Sequence, residues 1–291
     1  MARYPILRRR LKPKLRAAHS IAESRRLLTP PAYRIPKEVR LTPDRVGGIP
    51  GEWVERSAGS EGLLLYLHGG GYIACSIETH RAITVAFAQQ GFRVYAPEYR
   101  LAPEHPFPAA LDDVAAVYEP LLPKGPMVIA GDSAGGGLAL ALMVRLRDAK
   151  IRLPLAAALF SPWTDLAGTG KSLKENDSRC AMFCGESVAS GARHYLGDTD
   201  ARHPLASPLY ADLSQLPPLL IHVGHDEVLR DDSTRLAERA RGAGVTVDLK
   251  IWPVVPHAWQ LAQTTLPEAR QSLREAAAFL HAKANHKCQP T

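Results

Sequence analysis

Short apolar runs alternate with longer amphipathic ones along most of this chain, and the two periods predict different elements. Leu63-Leu64-Leu65-Tyr66-Leu67 is continuously apolar and reads as a buried strand. Further strands are expected over 92–96, 127–130, 218–224 and 245–251. Between them, helical periodicity covers 79–90, 109–122, 138–147, 233–241 and 267–283, with Pro267 suited to a first helical turn. Strand and helix alternating from Leu63 to Leu280 predict an α/β fold, a mainly parallel sheet with helices on both faces. The rhythm breaks between Trp163 and Leu216, a Gly-, Ser- and Asp-rich stretch with one helical run over 186–195, which reads as an insertion. Its length of 291 residues and 46% hydrophobic content suit one domain with small additions.

Several loops at the strand ends carry chemistry. Gly131-Asp132-Ser133-Ala134-Gly135 joins a strand to a helix, and glycines flanking Ser133 permit a turn sharp enough to expose its hydroxyl. By itself the pattern is equally an ordinary glycine-rich turn. Strand 63–67 runs directly into His68-Gly69-Gly70-Gly71-Tyr72, whose uncovered N–H groups suit an oxyanion hole. A phosphate cradle fits less well, because no Lys-Ser or Lys-Thr pair follows the glycines.

A nucleophilic serine needs a base and an orienting carboxylate, which in this fold class follow in the order serine, acid, histidine. Asp226 lies nearest the end of strand 218–224 and is the expected acid, ahead of Glu227, Asp231 and Asp232. Asp231 and Asp232 read instead as a helix cap or solvated face. His257, in the loop after strand 245–251, is the expected base. Asp132, fixed on the turn, is expected to serve a structural hydrogen bond, and His68 to anchor its loop. A metal pair at His222 and His225 is the minor reading of two histidines beside a strand end.

These blocks, with Tyr99-Arg100-Leu101-Ala102-Pro103-Glu104 and Ser161-Pro162-Trp163-Thr164-Asp165-Leu166, resemble the hormone-sensitive lipase family of α/β-hydrolases in its bacterial carboxylesterase branch. The resemblance covers roughly residues 45–282. It implies Ser133 as nucleophile, His257 as general base and acid, and Asp226 as orienting carboxylate. It also implies oxyanion donors at Gly70, Gly71 and Ala134, no cofactor and no metal. The implied activity is hydrolysis of short- to medium-chain acyl esters through an acyl-enzyme. An amidase, lactonase or acyltransferase on the same triad stays open, as does a receptor on the same fold, which the presence of His257 disfavours. A helical cap is expected from 1–44 together with part of 163–216, with Met182, Phe183 and Tyr195 as pocket walls or ordinary cap packing.

Charge changes this picture little. The first twenty residues hold Arg3, Arg8, Arg9, Arg10, Lys12, Lys14 and Arg16 without an acid, which accounts for the whole net charge of +7. A solvated helix face is favoured over contact with anionic membranes, and basic side chains are not spread over a folded face as nucleic-acid binding requires. No apolar run is long enough for a signal peptide or membrane span. Cysteines at 75, 180, 184 and 288 lack metal or scaffold spacing, so reduced thiols in the cytoplasm are expected, with a Cys180–Cys184 bridge and a homodimer left open.

Overall fold

A computed structural model of the chain describes residues 3–18 and 20–285. Eight strands form one sheet: β1 (Val39–Val46), β2 (Ile49–Arg56), β3 (Gly62–Leu67), β4 (Phe92–Pro97), β5 (Met127–Asp132), β6 (Ala157–Phe160), β7 (Leu219–Gly224) and β8 (Val247–Trp252). Their order across the sheet is β1-β2-β4-β3-β5-β6-β7-β8. β2 runs antiparallel to β1 and β4, and all pairs from β4 to β8 are parallel. The carboxyl ends of β3, β5, β7 and β8 therefore open on one edge, where ligand sites of open α/β sheets form.

The helices are α1 (Arg3–Arg16), α2 (Ile21–Leu28), α3 (Arg81–Gln89), α4 (Ala109–Leu121), α5 (Ala134–Asp148), α6 (Ser172–Glu175), α7 (Gly185–Leu196), α8 (Arg230–Gly242) and α9 (Pro267–Asn285). Side-chain alternation in β3 divides the core in two. Leu64 and Tyr66 join Ile83 and Phe87 of α3 and Leu273 and Leu280 of α9 on one face. Leu63, Leu65 and Leu67 join Leu111 of α4, Leu140 of α5 and Leu236 of α8 on the other. Burial on both faces is why β3 is a continuous apolar run rather than an alternating one.

The expected strands and helices are present with shifted ends, and three strands are additional to them. β1 and β2 form a hairpin through Gly47-Gly48, both at positive φ (60° and 80°), the turn that matches strand twist. Most of β1 is exposed and it carries Pro43, which a sheet tolerates at its edge, so it has no apolar signature. β6 is only four residues long, too short for periodicity to announce. The expected 1–44 segment is also divided, because 39–44 belong to the sheet and only α1 and α2 are helical. α1 packs on α2 and on α7 of the insertion. The Lys12 ammonium donates to the carbonyl oxygens of Asp177 and Cys180, joining the two segments. Cys75, Cys180 and Cys184 are free thiols, and Cys288 lies outside the described residues.

Candidate active site

Strand β5 ends at Asp132 and helix α5 begins at Ala134, leaving Ser133 alone to make the turn. Its backbone sits at φ 53°, ψ −124°, a region whose cost for a side-chain-bearing residue is about 1–3 kcal/mol. Two loop contacts hold it there: the Ser133 N–H donates to the Phe160 carbonyl (2.8 Å) and its carbonyl accepts from the Trp163 N–H (2.9 Å). Gly135 lets α5 approach β3, since a Cβ there would lie 2.1 Å from the Leu67 carbonyl oxygen. Helical geometry consequently starts four residues before the expected 138, using the glycines themselves. The serine is 8% exposed, so little of it meets solvent.

His257 reaches the same edge from the loop after β8. It is buried, and its Nδ1 lies 2.5 Å from Oε2 of Glu227. Its Nε2 is buried with no hydrogen-bond partner among the described residues. Phe183 stands edge-on to the imidazole at a centroid distance of 5.2 Å.

The carboxylate against His257 is thus Glu227, and the expectation of Asp226 is corrected. The reason is the turn after β7, where the Glu227 N–H donates to the Gly224 carbonyl (3.2 Å). The same turn brings Glu227 Oε1 within 2.6 Å of the Gly224 N–H. The longer side chain folds back over the strand end and is 1% exposed. Asp226, one residue earlier, points away and lies 3.0 Å from His225 Nδ1 and 3.9 Å from Arg179. Oε1 of Glu227 also accepts from the buried Ser161 hydroxyl at 2.7 Å. Asn176 steadies the loop from outside, donating to the carbonyls of Glu227 (2.9 Å) and His225 (3.0 Å).

The glycine loop after β3 is fixed from beneath. Gly69 donates its N–H to Asp132 Oδ1 (3.0 Å), which also accepts from the Tyr66 hydroxyl (2.6 Å). His80 Nε2 lies 3.3 Å from the other oxygen, Oδ2. Burial pushes the Asp132 carboxyl upward, yet His80 and the Tyr66 hydrogen bond outweigh it and leave the pKa below the ordinary value. Tyr99 donates to the His68 carbonyl at 2.6 Å and stacks on its ring. Burial, followed by the nearby His80, lowers His68 to about 3, so its ring is neutral and anchors the loop. Gly70 is required at φ 119°, where a Cβ would strike the Ala74 carbonyl oxygen at 2.0 Å. No hydrogen bond among the described residues uses the N–H of Gly70, Gly71 or Ala134.

A mainly parallel sheet with a serine on a strained strand-to-helix turn at its carboxyl edge is the setting in which the comparisons with known proteins are read. A family model described as alpha/beta hydrolase fold matches residues 64–261. An esterase structure from the bacterial hormone-sensitive lipase family is 39% identical, with a TM-score of 0.91 over 97% of each chain. This chain belongs to the bacterial hormone-sensitive lipase family of α/β-hydrolases. Among its relatives in that family, an acetyl-hydrolase of Streptomyces hygroscopicus is 45% identical over 81% of this chain and 80% of its own. An esterase of Acinetobacter venetianus is 38% identical over 83% and 82%. A structure of EstE5 soaked with p-nitrophenyl butyrate is 39% identical, with a TM-score of 0.91 over 96% of each chain.

Within this family member, other expected residues fall as follows. Tyr195 is buried against Tyr72, rings stacked at 3.7 Å, and Tyr72 leans on Trp163. Met182 is half-buried. His222 and His225 do not converge: His222 is buried beside Ser272 (2.9 Å), whereas His225 is exposed beside Asp226. Asp232 is neither cap nor solvated face, because its Oδ2 accepts from the N–H groups of Thr164 (2.8 Å) and Asp165 (2.9 Å). Asp231 accepts from the Ser172 N–H. Among the described residues no group of three or more His, Cys, Asp or Glu side chains could hold a metal. Reasoning from the residues alone missed Ser161 and His80, whose roles depend on partners 66 and 52 residues away in the chain.

Proposed function

We propose that this chain hydrolyses short- to medium-chain acyl esters with Ser133 as nucleophile, His257 as general base and acid, and Glu227 as the orienting carboxylate. Its reaction class is that of a carboxylesterase-type serine hydrolase. The observation that carries the residue roles is His257, with Nδ1 anchored at 2.5 Å by a buried carboxylate and Nε2 buried without a partner. An imidazole so held donates its Nδ1–H to Glu227 and offers an unprotonated Nε2 to the serine proton.

In the first half-reaction Ser133 Oγ attacks the ester carbonyl while Nε2 takes its proton. The developing oxyanion is held by the unspent N–H groups of Gly70, Gly71 and Ala134, and the loss of one such donor costs about 3–4 kcal/mol in related sites. His257 returns the proton to the leaving alcohol. Water then attacks the acyl-enzyme, with the same base and the same donors, and the acid is released. α1, α2 and the α6–α7 insertion form a cap over the serine in this reading. The near-complete burial of Ser133 and the Phe183 ring on His257 support the preference for shorter acyl groups.

The test is turnover of p-nitrophenyl butyrate by the wild-type chain and Ser133→Ala, both checked for folding by circular dichroism. The expected result is hydrolysis by the former and a loss of several orders of magnitude in the latter. Across a series from acetate to palmitate, kcat/KM is expected to fall beyond the medium chains. A steady rise to palmitate contradicts the chain-length proposal while leaving the residue roles standing.

A further inference from the structure

Ser161 lies immediately after β6, outside the three loops that carry the proposed triad, and its backbone is held at φ 46°. Glycine is the residue that meets such a φ without steric cost, and serine there carries a penalty unless its side chain returns something. The side chain is completely buried, and its hydroxyl makes one contact of consequence, donating to Glu227 Oε1 at 2.7 Å. The backbone is pinned independently, the Ser161 N–H donating to the His222 carbonyl at 2.7 Å across the β6–β7 junction. The backbone position of Ser161 is therefore set by the sheet, not by the loop that carries Glu227.

From this geometry we infer that Ser161 is a positioning residue for ester hydrolysis, acting on His257 through Glu227, an inference that rests on the triad proposed above. The two Glu227 oxygens have divided duties. Oε1 takes the Ser161 hydroxyl and the Gly224 N–H, both from the sheet end, and Oε2 is left for His257 Nδ1. A buried carboxylate with one oxygen fixed by two donors cannot rotate away from the imidazole, and its charge is balanced without weakening the bond to Nδ1. As positive charge develops on the imidazole in the transition state, the carboxylate is already aligned to meet it. Without the hydroxyl, the Gly224 N–H alone holds Oε1 and the side chain gains freedom to swing.

The test is a double-mutant cycle in kcat with p-nitrophenyl butyrate, using Ser161→Ala, Ser161→Gly, Glu227→Gln and each Ser161 variant combined with Glu227→Gln. Ser161→Gly removes the hydroxyl while relieving the positive-φ strain, so it separates side chain from backbone, and circular dichroism checks its folding. Both Ser161 variants are expected to lower kcat roughly tenfold with KM within about twofold. In the neutral Glu227→Gln background the same substitutions are expected to change kcat by less than about twofold. Full kcat in Ser161→Gly, or an equal loss with and without the Glu227 carboxylate, overturns the inference. Full activity in Glu227→Gln alone overturns the triad reading on which it stands, and the two failures are thereby told apart.

Discussion

Two buried carboxylate–histidine pairs stand at one sheet edge, and only one of them leaves a ring nitrogen without a partner among the described residues. Glu227 meets His257 at 2.5 Å and Asp132 meets His80 at 3.3 Å, each carboxylate almost wholly buried. The difference lies on the far side of each histidine. His80 Nδ1 is 2.8 Å from the Thr79 hydroxyl and its Nε2 is shared with Asp132 and the Gly69 N–H, so both ring nitrogens are engaged. His257 has one nitrogen anchored and the other unspent. A buried acid beside a histidine is thus insufficient to mark a base. Asp132 organises the floor of the glycine loop, and Glu227, in the proposed mechanism, orients the base.

The sharpest way to break this contrast is to neutralise the acids singly. Glu227→Gln is expected to reduce kcat by roughly 10³–10⁴-fold, the scale of losing the orienting carboxylate in a serine triad. Asp226→Asn is expected to stay within about twofold of wild type, because Asp226 touches His225 and Arg179 rather than His257. Steady-state kinetics on one ester decides the matter, and the reverse ranking restores Asp226 as the acid.

Asp132→Asn probes the other pair and should give a different signature. It leaves the base intact but loosens the Gly69 anchor and the His80 contact, so kcat is expected to fall roughly tenfold. Urea denaturation should show a loss of about 1–3 kcal/mol from the disturbed buried network. Activity loss comparable to Glu227→Gln, without loss of stability, would mean that Asp132 acts in the chemistry itself.

A third buried carboxylate, Asp232, has an arginine for company instead of a histidine and supplies the smallest expected effect. Burial raises it to about 7, against the pull of the Thr164 N–H, whereas Asp132 is held below the ordinary 3.8. The signs are opposite. Asp132 contributes stability above 3.8 that is lost as pH falls through its lower folded value. Asp232 holds a proton in the native state that the unfolded chain releases near 3.8, so its contribution declines as pH climbs from there to about 7. Melting temperatures across that window should show Asp232→Asn gaining on wild type as pH rises. A constant offset between the two would assign Asp232 a purely geometric role in holding Thr164 and Asp165.

Much of the fold, and the strand-end loops from which the proposed site is built, could be read from local pattern. Ser133, His257 and the glycine loop announce themselves because each sits where a strand ends, and the glycines there answer to backbone geometry within a few residues. The buried strands β3, β5 and β7 are apolar on both faces, which leaves an unbroken run in the sequence. β1 and β2 left no such run, since an edge hairpin with one solvated strand has little apolar surface to encode.

What the sequence determined by itself is therefore the turn at Ser133, the glycine loop after β3, the loop that carries His257 and the alternation of most elements, all properties carried by contiguous residues. The tertiary structure decided between Asp226 and Glu227. Two acids adjacent in a loop have the same composition and position, and only the turn closed by Gly224 sends one back over the sheet and the other outward. It likewise brought Ser161 under Glu227 and His80 under the glycine loop, by strand neighbours set in sheet order rather than chain order. Hydrogen bonds between distant segments exist only once the sheet has aligned them, which is why local pattern holds no trace of these partners.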